Sequence, residues 1–147
     1  MDIRAAHRGD EAGILTLIKA LADYEKAPLA VVNTVAELGQ HLFEDEICAA
    51  FVAEDQGNIV GFALWYTSYS TWKGKCLYLE DLYVLPEYRS LKLGSRLFDK
   101  VVETAKSQGV KRMDWQVLEW NQPAIDFYLR KHCVLDPEWI NGRLFFD

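Results

Sequence analysis

No stretch of the chain stays apolar long enough to cross a bilayer, which takes roughly 20 consecutive helical residues. The opening residues, Met1 to Arg8, lack the apolar core of a secretory signal. Cysteine is scarce: Cys48, Cys76 and Cys133 are odd in number, far apart and in no CxxC pairing. That argues against a disulfide framework or a cysteine-built zinc site and points to a reducing, cytoplasmic setting. His7, His41 and His132 are scattered, without carboxylate or cysteine partners at ligand spacing, so neither a metal site nor a Cys/His nucleophile is expected. Positive charge is not in excess either. The net charge of −6 argues weakly against nucleic acid, whose binders need a positive field to release counterions. Repeats, low-complexity tracts and linkers are missing, so residues 1–147 read as a single domain.

What is present is the ordinary balance of a globular protein, with 50% hydrophobic and 26% charged residues. An acidic surface suits a cationic ligand, and serves solubility equally well. Ile3 to Ala6 reads as a short strand. Asp10 stands as a helix N-cap before Ile14, Leu15, Leu17, Ile18 and Leu21, an apolar stripe at helical spacing that should end before Pro28. Thr34-Val35-Ala36-Glu37 is a capping box for a second helix. Ala49–Ala53 and Ile59–Tyr66 form a hairpin around Glu54-Asp55-Gln56-Gly57-Asn58. Leu77–Val84 is a further strand, stopped at Pro86. Gly94–Ser107 carries Leu97, Val101 and Ala105 on one helical face and ends near Gly109. Met113–Leu118 reads as a strand, Asn121 caps a helix through Arg130 with Pro123 in its first turn, and Leu144–Phe146 reads as a closing strand. Helices interleaved with strands after an early hairpin predict an α/β fold, a mixed sheet with helices on its faces.

Chemistry concentrates between Tyr78 and Gly94. There a strand runs through a basic turn, with Arg89 and Lys92, directly into a helix. Such a helix start offers free N–H groups and a positive dipole end, a place for a pyrophosphate. Many proteins carry a strand, a basic turn and a helix, so the turn alone is equally readable as a solvated surface loop.

The turn resembles the acetyl-CoA motif of the GNAT superfamily, Arg/Gln-x-x-Gly-x-Gly/Ala, with Arg89 first and Gly94 last. Around it, Ile59-Val60-Gly61-Phe62-Ala63, Tyr69-Ser70-Thr71-Trp72-Lys73-Gly74-Lys75, Tyr78-Leu79-Glu80-Asp81 and Glu119-Trp120-Asn121-Gln122-Pro123-Ala124-Ile125-Asp126-Phe127-Tyr128 resemble the spermidine/spermine (diamine) acetyltransferase group. Ser70-Thr71-Trp72-Lys73-Gly74 is more similar to its diamine acetyltransferase 2 branch, associated with thialysine and related amines. The likeness covers nearly the whole chain, from the first helix to Trp139.

That resemblance implies the GNAT fold: a twisted mixed sheet flanked by helices and splayed after its fourth strand, with acetyl-CoA as co-substrate and its pantetheine arm in the splay. Leu82, Tyr83 and Val84 would then pair with the pantetheine amides. Arg89, Ser90, Leu91, Lys92, Leu93, Gly94 and Ser95 would wrap the diphosphate, and Asn121, Pro123, Ala124 and Arg130 would complete the cofactor site. Glu80 takes the position of the general base, acting through water, and Tyr128 that of the general acid. Only about one primary amine in a thousand is neutral at pH 7, and a phenol near ~10 matches the basicity of a departing thiolate, so both roles are needed. As a strand neighbour, Asp81 is expected on the opposite face from Glu80, binding a cation or holding structure. Tyr24, Glu25, Ser70, Trp72, Glu80 and Asp81 are the implied contacts for a small cationic amine, and a homodimer is implied by analogy. No metal enters.

Three departures bear on these expectations. Ser90 and Lys92 stand where the family commonly, and nearly always, has glycine. Lys92 either strains the loop or brings an ammonium to a phosphate oxygen, and a non-catalytic acyl-CoA-binding or interaction protein is the competing reading. Ser70 replaces an aspartate, which removes an anchor for a second positive charge and favours a shorter or lysine-like amine. After the last helix His132-Cys133 stands where the family usually has Gly-Ala or Gly-Phe, which predicts a different turn there.

Overall fold

A computed structural model of the chain describes residues 1–146. It divides into two compact units, Met1–Trp115 and Gln116–Asp147. The first holds five strands in the order β1-β2-β3-β4-β5: β1 Asp2–Ala5, β2 Ala49–Asp55, β3 Asn58–Ser70, β4 Gly74–Val84 and β5 Met113–Asp114. The first four pair antiparallel and β5 joins β4 in parallel, giving the mixed sheet expected from the interleaved pattern. Helices α1 (Glu11–Tyr24), α2 (Val35–Gly39, running on as a π-helical turn Gln40–Glu44) and α3 (Leu93–Ser107) belong to the same unit. No helix among the described residues is long and apolar enough to cross a membrane.

The core forms where the periodicities cross. Ile14, Leu15 and Leu17 of α1 join Leu38, Leu42, Val52, Phe62 and Leu64 in one buried cluster, with Ile18 and Leu21 packed at its edge. Leu93, Leu97, Val101 and Ala105 bury the apolar face of α3. Gly61 makes the close approach possible: a Cβ there would stand 3.1 Å from Val84 Cγ2 and 3.3 Å from Leu97 Cδ1. The β2–β3 hairpin turns on Gln56 and Gly57, both with positive φ (50° and 84°), as a two-residue turn between twisted strands requires.

Two caps differ from expectation in their wiring. Thr34 Oγ1 accepts the Glu37 N–H at 3.1 Å, but the reciprocal bond to the Thr34 N–H comes from Asn33 Oδ1, at 2.9 Å. Asp10 occupies the N-cap of α1 without a side-chain cap bond. Its carboxylate instead accepts from the His7 N–H at 2.8 Å and from both Arg4 terminal nitrogens, at 2.7 and 3.1 Å, while Arg4 Nε reaches Glu54 at 3.3 Å. Burial alone would raise the Asp10 pKa; the bonds from Arg4 and His7 outweigh it and hold the group below the usual carboxylate range.

The strand expected over Met113–Leu118 pairs only at Met113–Asp114. No strand forms at Leu144–Phe146, whose side chains are 84%, 79% and 95% exposed. A three-residue extended segment gains nothing without a paired neighbour. In the second unit α4 spans Gln122–Arg130. His132 follows with φ 64°, the left-handed conformation that glycine usually supplies, and its N–H bonds Leu129 O at 3.0 Å. The turn therefore keeps the glycine geometry with a different residue.

Removing the Asp10 carboxylate takes two charge-assisted bonds from the Arg4 guanidinium, which keeps Glu54, and leaves the His7 N–H without its acceptor. Asp10→Ala is expected to cost about 2–3 kcal/mol, the range for hydrogen bonds to charged groups, in urea unfolding at pH 7. Because the folded pKa is depressed, this contribution is present above about pH 4 and is lost as pH falls further, so wild type and variant should converge in acid.

Candidate active site

β4 carries the site. Parallel pairing with β5 covers only Leu77↔Met113 and Tyr78↔Asp114, while β4 runs on to Val84. On its other edge Leu82, Tyr83 and Val84 pair with Ala63, Phe62 and Gly61 of β3. The sheet is thus opened after its fourth strand, and the β5-side edge from Leu79 to Val84 carries no strand among the described residues.

Beyond Val84 a 3₁₀ turn, Pro86–Leu91, leads into α3. Tyr88 Oη donates to Asp55 at 2.8 Å and ties the turn to the β2–β3 hairpin. Arg89 turns back on the protein: its Nε donates to Val84 O at 3.1 Å, and its guanidinium lies 5.6 Å from the ring centres of both Tyr24 and Tyr83. Lys92 then takes the left-handed conformation (φ 59°, ψ 25°) at the N-cap of α3, which starts with no side-chain cap. Ser90, Leu91 and Lys92 are exposed, Leu93 is buried, and Gly94 and Ser95 fill the first turn. A Cβ on Gly94 would meet only Val84 Cγ2, at 3.9 Å, so the space over its backbone is open. An uncapped helix start, an open approach and an unpaired strand edge fit a diphosphate joined to an arm of amides.

The strongest electrostatic feature also lies on β4. The β3 register slips between Leu64, opposite Asp81, and Trp65, opposite Leu79, which leaves Glu80 as a bulged residue without a partner. A bulge breaks the strict alternation on which opposite faces would rest. The charge of Glu80 reaches Asp81 as well as Glu25 and Tyr66. Burial and the Glu80 charge raise Glu25, at the end of α1; burial, Glu80 and Glu25 together push Asp81 up to about 7. Tyr66 is raised as well, by burial and then Glu80. Its ring stacks on Tyr78, its partner across β3 and β4, at 5.3 Å. Asp81 thus lies within reach of the charges of both Glu80 and Glu25. Tyr66 escaped notice because only the β3–β4 register places it there.

Other expected residues separate. Ser70 Oγ accepts the N–H groups of Trp72 and Lys73, both at 3.1 Å, and so shapes the β3–β4 turn, with Trp72 82% exposed at its tip. In the second unit Asn121 is buried and its Oδ1 accepts the Ala124 N–H at 3.4 Å, capping α4. Pro123 stands in the first turn, Arg130 in the last, and Tyr128 is the buried residue of that helix.

The raised Asp81 pKa has a definite sign. A carboxyl that stays protonated more readily when folded contributes stability below about pH 4 that is lost as pH rises through about 7. Asp81→Asn is therefore expected to stabilise the fold at pH 8 by on the order of 4 kcal/mol, about three pKa units at about 1.4 kcal/mol each, and to gain nothing at pH 4. Denaturant midpoints at the two pH values measure it. Equal shifts at both would remove ionisation as the cause.

Residues 17–133 match the Acetyltransferase (GNAT) family. The chain is 43% identical over 136 residues to a thialysine N-epsilon-acetyltransferase of Bos taurus, covering 86% of this chain and 79% of that protein. It is 37% identical over 140 residues to the spermidine/spermine N(1)-acetyltransferase-like protein 1 of Homo sapiens, covering 90% of this chain and 20% of the relative. In fold it is similar to the structure of AAC(6')-Iy in complex with the bisubstrate analogue CoA-S-monomethyl-acetylneamine, with a TM-score of 0.81 at 20% identity, over 98% of this chain and 97% of that one. With a splayed sheet, an uncapped helix start beside it and a family match across most of its length, this chain belongs to the GNAT acetyltransferase family.

Proposed function

We propose that the protein transfers the acetyl group of acetyl-CoA directly to the amine of a small cationic substrate, a short diamine or a lysine-like amine such as thialysine. The observation that carries this reading is the group of carboxylates formed by Glu80 and Asp81, on the strand that also leads to the diphosphate turn, with Glu25 at the end of α1. Three like charges brought together in a partly buried place favour a cation, and Tyr66 adds an aromatic wall.

Bound acetyl-CoA supplies a thioester carbonyl and a thiolate leaving group. The unpaired N–H groups of β4 hold the pantetheine arm and polarise that carbonyl. An amine reaches the site mostly as its ammonium and must lose a proton before it attacks. Glu80 takes that proton through water, and Asp81, with a pKa of about 7, is matched to proton exchange at neutral pH. Tyr128 returns a proton to the departing sulfur, and Asn121 fixes the start of its helix. Glu25 and Tyr24 face the amine from the end of α1. Ser70, with its hydroxyl spent on the hairpin turn, offers no second anchor for charge, which supports the shorter amines over the longer polyamines.

The reading extends to one catalytic domain across residues 1–147, working as a homodimer in the cytoplasm. Val134, Trp139, Ile140, Leu144, Phe145 and Phe146 are exposed in the second unit, apolar area that a second copy would cover. Cys48, Cys76 and Cys133 are all free thiols, as a reducing compartment keeps them.

The test is release of free CoA thiol from acetyl-CoA with a panel of diamines, polyamines, thialysine and lysine. Release with at least one amine is expected; none above the rate without amine would overturn the reading. Tyr128→Phe is expected to lower turnover by about 10²-fold or more while acetyl-CoA binding, followed by calorimetry, stays within a few-fold. Unchanged turnover would remove its role as acid.

A further inference from the structure

The glycine-poor turn ahead of α3 distributes its charges in an unexpected way. Arg89, first residue of the motif, holds one of its donors, Nε, on Val84 O, with its guanidinium 5.6 Å from the ring centres of Tyr24 and Tyr83. Lys92 is exposed and sits on the helix N-cap, with no ion pair or side-chain hydrogen bond among the described residues. Its conformation, φ 59° and ψ 25°, is one that glycine reaches freely and that a side chain makes costlier. Its carbonyl is already in the helix, accepting the Arg96 N–H at 3.1 Å, so the left-handed residue and the helix start are one rigid feature. The side chain consequently leaves the backbone at the point where the uncapped N–H groups face outward.

We propose that Lys92 is a phosphate ligand: its ammonium meets the diphosphate of the cofactor and adds a second positive charge to that of Arg89, whose Nε is held on Val84 O. The inference rests on the acetyl-CoA reading of this turn. It runs against the expectation that restoring the family's glycine would restore a better site. Here glycine removes a charge-assisted contact and leaves Arg89, the dipole and the N–H groups.

The experiment is calorimetric titration of the whole protein with CoA and with acetyl-pantetheine, for wild type, Lys92→Gly and Lys92→Arg, at low and high salt, alongside thermal unfolding without ligand. Wild type is expected to bind CoA. Lys92→Gly should melt higher, yet bind CoA about tenfold more weakly at low salt, the lower end for a hydrogen bond to a charged group. Its affinity should also depend less on salt. Lys92→Arg should stay within about threefold of wild type, and acetyl-pantetheine, which lacks the diphosphate, should not distinguish the three proteins. Equal or tighter CoA binding by Lys92→Gly, or a matching loss toward acetyl-pantetheine, would overturn the proposal while leaving the acetyl-CoA reading intact. Failure of wild type to bind CoA would overturn that reading and this inference with it.

Discussion

A strand that loses its neighbour after two residues sets the terms for everything else in this protein. β4 pairs with β5 at Leu77 and Tyr78 and then continues to Val84. Backbone polar groups inside a protein must find partners, and an open sheet edge is otherwise a liability. A ligand with its own amides can take the missing strand's place. The same geometry explains why the phosphate turn lies where it does. The 3₁₀ turn leaves the open strand's end, Arg89 pins it to Val84 O, and Tyr88 pins it to Asp55. One departure in pairing therefore leaves an open strand edge that leads through the turn to the uncapped start of α3.

The carboxylates lie on that strand too, at the bulge that Glu80 creates. Without a cation the arrangement works against stability, since Asp81 is held partly protonated by burial and by its neighbours' charges. Unfavourable groups of this kind gather where a protein trades stability for chemistry. An ammonium entering the group would relieve the repulsion, and its own proton would have carboxylates within reach. In the proposed reaction, substrate attraction and proton transfer would thus draw on one electrostatic source.

Much of this was legible in the sequence because it rests on local rules. Periodicity located α1 and the buried face of α3, and the Gln56-Gly57 turn located the first hairpin. The strand, turn and helix around Arg89 and Gly94 were found from their order alone. What stayed hidden depends on register and on long-range partners. Alternation along β4 sends Glu80 and Asp81 to opposite faces, and only pairing with Leu64 and Trp65 reveals the bulge. The Asp10 side chain serves Arg4 instead of its own helix, because Arg4 arrives from β1. Leu144–Phe146 has the composition of a strand, but composition does not provide a neighbour to pair with.

Glycine in a family pattern can mark two different needs, and this chain separates them. At position 94 glycine is kept with open space above it, where a Cβ would meet only Val84 Cγ2 at 3.9 Å. At positions 92 and 132 the need is a left-handed turn, and Lys92 (φ 59°) and His132 (φ 64°) both adopt it. A left-handed residue costs conformational energy without blocking anything, provided its side chain points to solvent. Surrounding structure meets that cost: α3 and α4 are each set by their own buried faces, whatever residue occupies the turn. Two departures from the pattern, Lys92 and His132, therefore fall where the backbone is left-handed, while Ser90 replaces glycine without that conformation. A turn altered in this way keeps its shape and acquires a side chain, which is how the loss of a glycine becomes the gain of a cation.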